Sequence, residues 1–304
     1  MSDHAAAVRT PVTHRGEQAV QQRVGEGSPR HGSPMFGPDI APAYAEFIAQ
    51  RRMVVLGSLD ETGAVWATQL TGDAGFAAPA GDTTLVFAAF PPDGDPLRHA
   101  FESERPSGMI ALDPLNSRRV RANGAVRRHG DGLVMRTEQV LRNCAKYIQK
   151  RELAPEAAPS GTPGPAAVSS TRLTAYQQRW ISGADTFFIA SHSPEHGADA
   201  SHRGGLPGFV TVTGERQLSW PDYKGNSFYM TFGNIELDPR CGLLFVDWEN
   251  GHTLQVTGEC HIDWRDRSAP GAKRAVHFAV QRVVQIENAT SLRWRFLEYS
   301  SFNP

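Results

Sequence analysis

The residues best suited to chemistry lie between Asp199 and Asn226, in the run DASHRGGLPGFVTVTGERQLSWPDYKGN. Ser201, His202 and Arg203 supply a hydroxyl, an imidazole and a fixed guanidinium fork, and Gly204 and Gly205 let a ligand approach the backbone. Trp220, Pro221, Asp222 and Tyr223 form a corner whose rings offer a stacking platform. Lys224, Gly225 and Asn226 read as a turn that brings an ammonium to a phosphate if it faces the site. A second cationic run, Arg118, Arg119 and Arg121, carries guanidinium forks matched to anions. Together these residues predict a flat ligand that bears a phosphate.

Each stretch also has a plainer reading. Ser201 to Gly205 can be a polar hairpin loop, the arginine run a solvated strand that discourages edge pairing, and Trp220 a core residue. His192, His196 and His202 have no cysteine or carboxylate at a regular spacing, so no metal site is predicted. A nucleophile elbow, a Walker loop and a GxGxxG turn after a strand are all missing, which removes support from hydrolase, kinase-like and Rossmann readings.

The elements that must position these residues belong to a chain of 304 residues, long enough for two ordinary domains. Its 40% hydrophobic and 21% charged content is that of a soluble globular protein, and a net charge of −1 gives no basic field for nucleic acid. Cys144, Cys241 and Cys260 are odd in number and widely spaced, which fits a reducing cytoplasm rather than a disulfide framework. The N-terminus lacks a signal-peptide core, and no apolar run reaches the roughly 18 residues of a membrane span. A cytoplasmic location, with no membrane or nucleic-acid partner, is expected.

Residues 1–40 are a polar, flexible leader in which Gly16 to Val24 forms a short helix if its Ala19, Val20 and Val24 side is docked. Residues 41–151 then read as a helix, strands at 53–59 and 64–71, one opening at Gly75-Phe76, strands at 83–90, 108–112, 118–128 and 133–140, a short helix over 96–104 and a closing helix over 142–151. Residues 152–170, rich in Ala, Pro, Gly and Ser, read as a linker. Residues 171–304 repeat the order. Gly75-Phe76 recurs as Gly208-Phe209, 133 residues on, and the Gly108 to Asp113 run recurs as Gly242 to Asp247, 134 residues on. Arg121-Ala-Asn-Gly124 recurs as Gln255-Val-Thr-Gly258 at the same offset. A near-constant offset of this size means two copies of one domain, each of about six strands in a small antiparallel barrel or sandwich. Two such units can pack as an intramolecular pseudo-dimer, and sites in dimers of small barrels often lie in the seam.

Period-two alternation then assigns faces. Leu254, Val256, Gly258, Cys260 and Ile262 point inward, and so do Val120, Ala122, Gly124 and Val126. Gln255, Thr257, Glu259 and His261, like Arg119, Arg121, Asn123 and Arg127, point the other way.

In the order of its motifs the chain resembles the pyridoxamine 5′-phosphate oxidase-like FMN-binding split-barrel proteins, specifically their tandem-domain subgroup. The resemblance runs from His14-x-Gly16-Glu17, through Trp66-Ala67, Gly94-Asp95-Pro96-Leu97, Arg118-Arg119-x-Arg121-x-Asn123-Gly124 and Asn143-Cys144-x-Lys146-Tyr147-Ile148-Gln149. It continues through Asp199 to Val210, Trp220 to Asn226, Gly233-Asn234 and Glu298-Tyr299-Ser300. It implies a mainly β fold with peripheral helices: two tandem split β-barrels holding FMN in the seam, chiefly on the second. Ser201, His202, Arg203 and Gly204 would meet the flavin, Trp220, Pro221, Asp222 and Tyr223 would lie beside it, and Gln255 would contact its ring. Where the family carries a Ser/Arg-Lys phosphate cluster this chain has Gly225-Asn226-Ser227-Phe228, so Arg203, Lys224 or Arg121 would supply the charge. The resemblance implies a flavin-dependent oxidoreductase acting on a small-molecule substrate with a separate electron donor, a reductase or a reduced nicotinamide, in a possible homodimer. The rival expectation is a non-catalytic flavin or haem carrier, with His192 or His202 as haem ligand.

Overall fold

The computed structural model describes residues 13–27, 31–142, 144–154 and 164–304. Asn143, the start of the leader and the middle of the linker lie outside the described residues. The first copy contains β1 (Met53–Leu59), β2 (Val65–Thr71), β3 (Ala77–Pro79), β4 (Thr84–Phe87), β5 (Arg105–Asp113), β6 (Arg118–His129) and β7 (Gly132–Arg142). These form one sheet in the order β2-β1-β5-β6-β7-β4-β3. After β8 (Lys150–Leu153) and β9 (Ala166–Ser170) come β10 (Thr186–Ser193), β11 (Gly197–Gly204), β12 (Thr211–Gly214), β13 (Gln217–Asp222), β14 (Arg240–Val246), β15 (Thr253–Asp263) and β16 (Arg274–Glu287). Their order, β11-β10-β14-β15-β16-β13-β12, repeats the first sheet strand for strand. The fold is two tandem split β-barrels, with seven strands per copy rather than six.

The repeat extends to the irregularities. The β6–β7 ladder slips between Asn123 and Gly124, and the β15–β16 ladder slips between Thr257 and Gly258. A β-carbon at either glycine would lie 2.0 Å from a carbonyl oxygen of the neighbouring strand, Arg136 or Ala279. Only glycine fits such a bulge, which explains why both copies keep one there.

Each barrel has its own core. Leu56, Trp66, Phe87, Phe101 and Met109 fill the first, together with Val120, Ala122 and Val126 as the alternation predicts. Phe187, Trp220, Phe245 and Phe278 fill the second with Leu254, Val256, Cys260 and Ile262. A third cluster, including Val55, Val65, Ile110, Phe188, Leu244 and Trp248, is the seam. Close backbone approach makes it possible. A β-carbon on Gly108 would sit 2.4 Å from the Ala200 nitrogen, and one on Gly242 would sit 2.5 Å from the Trp66 Cα. Gly108 and Gly242 are the same position in the two copies, so the seam has a pseudo-twofold axis.

Among the described residues four α-helices lie outside the sheets: α1 (Arg15–Val24), α2 (Pro42–Ala49), α3 (Ala175–Gly183) and α4 (Met230–Leu237). Helix α1 packs on α4. Its buried face is Gly16, Glu17, Val20 and Gln21 rather than the Ala19 and Val24 side. His14 caps it by accepting from the Glu17 amide at 3.2 Å. No helix among the described residues is long and apolar enough to cross a membrane.

Several local expectations change. Residues 142–151 do not close with a helix: Tyr147 takes a φ of 64°, and the Gln149 side chain donates to the carbonyls of Tyr147 and Gly205 at 3.2 and 3.1 Å. Its oxygen accepts from the Ser300 amide at 2.8 Å, so tertiary hydrogen bonding overrides helical propensity. Over 96–104 only a 3₁₀ turn forms, Ala100–Glu102. Strand β4 ends at Phe87, short of the Phe90 expected. The last part of the expected linker, Ala166–Ser170, is β9, which pairs with β16.

Candidate functional site

One end of the seam is a cavity with walls from both copies: Arg119 and Arg121 of β6, the Cys144–Tyr147 turn, Ser201 to Gly204 of β11, Pro221 to Thr231 and Lys273-Arg274. Period-two geometry places the arginines there. Val120 and Ala122 face the first core, so Arg119 and Arg121 must face the second barrel. The polar face of β6 is therefore not solvated along most of its length; Arg119, Arg121 and Asn123 are all buried, and Arg127, towards the end of the strand, is exposed.

Four guanidinium groups converge. Arg121 is ion-paired with Asp199, whose other oxygen accepts from the Thr231 hydroxyl at 2.9 Å. Arg203 donates to Asp222 Oδ1 at 3.0 Å, and Arg274 Nε lies 3.2 Å from Asp222 Oδ2. Asp222 and Arg274 are direct partners in the β13–β16 ladder, so the ladder itself sets this pair. Phe232 stacks with both guanidiniums, 5.3 Å from Arg203 and 5.7 Å from Arg274. Among the described residues no carboxylate pairs with Arg119, whose Nη1 contacts His202 Nδ1 at 3.0 Å. Buried polar atoms without a protein partner include Arg119 Nε, Arg203 Nε, Arg274 Nη1 and His202 Nε2.

Burial works against these charges but does not remove them. Desolvation, then repulsion from Arg119, brings Arg121 down to about 9, and desolvation brings Arg119 down to about 10. Both stay cationic at neutral pH. The same burial pushes Asp222 up, against the pull of Arg203 and Arg274. His202 is pushed well below its ordinary value, by burial first and by Arg119 second, and is neutral. Four guanidiniums thus face Asp199 and Asp222, and Glu26, Lys224 and Lys273 also line the cavity.

Most of the predicted site residues meet in this cavity: Ser201, His202, Arg203, Gly204, Pro221, Asp222, Tyr223, Lys224, Asn226 and Arg121. Two do not. Trp220 is in the second core, edge-on to Phe187, because alternation along β13 turns it inward while Asp222 shares that side at the strand end. Gln255 is at the other end of the seam, donating to the Ala67 carbonyl and to Asp95 Oδ2, each at 2.9 Å. Ser201 to Gly204 form a buried strand rather than a hairpin loop, and Gly204 is obligatory because a β-carbon there would meet the Tyr147 carbonyl oxygen at 2.0 Å. Sequence reasoning missed Arg274, Tyr147 and Phe232. The Lys273-Arg274 pair opening an alternating apolar strand was the available signal for the first.

The turn after β13 is held by the leader. Glu26 accepts from the Ser227 and Tyr229 hydroxyls at 2.5 and 2.7 Å, and Gln21 donates to the Phe228 carbonyl at 3.3 Å. Ser227 and Tyr229 both have a φ of 60°, a backbone state that needs such outside support. His192 lies outside the cavity, its Nδ1 3.6 Å from Asp238. Among the described residues no three His, Cys, Asp or Glu side chains converge as a metal site.

No protein-family model and no curated protein matches the sequence. Solved structures do. A putative pyridoxamine 5′-phosphate oxidase from Lactobacillus delbrueckii is similar at 13% identity and a TM-score of 0.32, covering 38% of this chain and 94% of its own. Each such match is about one barrel long. The FAD binding protein from Mycobacterium smegmatis is similar at 13% identity and a TM-score of 0.26, over 40% of this chain and 98% of its own. The H111A form of HupZ from Group A Streptococcus is similar at 14% identity and a TM-score of 0.31, over 37% and 98%.

Proposed function

We propose that the chain binds flavin mononucleotide in the Arg119–Arg274 cavity and acts as a flavin-dependent oxidoreductase on a small molecule. Surplus positive charge is the observation that carries this reading. Arg119, Arg121, Arg203, Arg274, Lys224 and Lys273 line the cavity against Asp222 and Glu26, with Asp199 paired to Arg121, and this surplus of cations suits a phosphate dianion. The unpartnered N–H groups of Arg203 and Arg274 are donors for its oxygens. Tyr147 and Tyr223, with ring centroids 5.2 Å apart, offer aromatic surface at the mouth for a flat ring.

A bound flavin supplies the hydride or one-electron chemistry. The chain's own residues bind the phosphate, orient the ring and exclude water from the buried strand face. The neutral His202 offers hydrogen bonding rather than charge. Reducing equivalents come, on this reading, from a separate donor such as a reductase or a reduced nicotinamide in the cytoplasm.

The test is the purified full chain mixed with FMN. A stoichiometric yellow complex, bleached by reduced nicotinamide alone or with a reductase, is expected. A protein that stays colourless after incubation with FMN contradicts the proposal, and a complex that no donor reduces leaves a carrier instead of an enzyme.

A further inference from the structure

His202 has one nitrogen engaged and one free, and the engaged one decides the state of the other. The group at 3.0 Å from Nδ1 is the Arg119 guanidinium, which has only donors. Nδ1 must therefore accept. In a neutral imidazole the proton is then at Nε2, so the remaining buried nitrogen is an N–H donor. That atom has no protein partner, although the residue is only 5% exposed and lines the cavity. An unmet buried donor is costly and is rare unless something else satisfies it.

Everything around the ring keeps it this way. Phe188 packs edge-on to it at 5.8 Å and fixes its plane. The charged groups facing it are Arg119, Arg151 and Arg203, all cationic, so none favours the imidazolium. The equivalent position in the first copy, one residue after Thr68 as His202 follows Ser201, is Gln69, whose side-chain amide has no hydrogen-bond partner in the protein. The pairing is thus particular to the charged end of the seam.

We propose that Arg119 acts as a positioning residue that fixes His202 as the Nε2–H tautomer, and that His202 donates this hydrogen bond to an acceptor atom on the planar ring of the bound flavin. The donor role rests on the reading of the cavity as the flavin site; the tautomer does not. A neutral donor at such an acceptor favours the electron-rich reduced ring over the oxidised one, so His202 tunes the potential as well as the affinity.

The experiment is ¹⁵N NMR of the full chain labelled at histidine, between pH 5.5 and 8, before and after addition of FMN. His202 is assigned with the H202Q variant. The expected result is a pyrrole-type Nε2 and a pyridine-type Nδ1 across the range, a tautomer mixture in R119L, and a shift at Nε2 on adding FMN. H202F should weaken FMN about fivefold to tenfold and lower its potential, while H202Q, which keeps an amide donor, should stay within about threefold. A protonated Nδ1, or an imidazolium at pH 6, overturns the tautomer. FMN bound with Nε2 unmoved overturns the donor role alone. FMN that does not bind overturns both the donor role and the flavin reading, and the free-protein spectra still decide the tautomer.

Discussion

Arg121 and Gln255 are one position in two copies, 134 residues apart, and each reaches across the seam to the opposite barrel. Arg121 of β6 pairs with Asp199 of β11, whereas Gln255 of β15 donates to Ala67 of β2 and to Asp95. The pseudo-twofold axis should make two sites. The side chains make the ends unlike: one is charged and open, the other closed by a neutral amide on a carboxylate that also accepts from Thr68 at 2.5 Å. Burial raises Asp95 to about 6, as befits an enclosed carboxyl.

This asymmetry predicts one flavin per chain, countable by absorbance against protein concentration. Gln255→Ala should leave flavin affinity unchanged while lowering stability by about 1–3 kcal/mol, since it strips a donor from buried Asp95. Denaturant melts and flavin titration of the same sample separate the two effects.

At the charged end, Arg274→Ala and Arg203→Ala should each weaken FMN by about 1–3 kcal/mol. The effect on riboflavin should be small, because riboflavin has no phosphate. Arg121→Ala differs in kind. It leaves Asp199 buried without its cation, which costs about 3–5 kcal/mol of stability before any ligand is added.

Much of this was legible in the sequence. The 133–134 offset gave the tandem copies, and alternation along β6 and β15 assigned their core faces. The Gly124 and Gly258 landmarks coincide with ladder slips that tolerate no side chain. What alternation cannot say is whether the second face meets water or another barrel, so buried Arg119 and Arg121 read equally well as solvated. Nor does local pattern reveal Gln149, whose partners lie 56 and 151 residues away at Gly205 and Ser300 and hold 144–149 out of a helix. Gln255 lies at the opposite end of the seam from the other predicted site residues because the pseudo-twofold sends equivalent residues in opposite directions.

Close contact at the seam gives a steric test. Gly108→Ala must displace the Asp199–Ala200 backbone, and the cost should be about 1–3 kcal/mol or more with weakened flavin binding. Gly75→Ala, with open space around the position but a φ of 95°, should cost local strain without affecting the site. Thermal melts and flavin titration of both variants make the comparison.

Leader docking should depend on pH in two directions. Burial raises Glu17 from 4.5 to about 7, so its contribution is complete below pH 4.5 and is lost as pH rises through 7. Burial lowers His14 from 6.5 to about 4, so its contribution is complete above pH 6.5 and is lost as pH falls through 4. Hydrogen exchange of the Ser33 amide, which donates to Glu17 at 2.8 Å, should quicken beyond its intrinsic pH dependence above pH 7. Glu17→Gln should abolish that limb.

The account stands most directly on the phosphate. Titrating the full chain with FMN and with riboflavin, followed by flavin fluorescence at one fixed ionic strength, compares the same ring with and without the dianion. The buried arginines predict FMN bound at least about tenfold more tightly, a difference of 1.4 kcal/mol or more, with the gap shrinking in Arg274→Ala. Equal affinities for the two flavins would contradict the assignment of the guanidinium cluster to the phosphate.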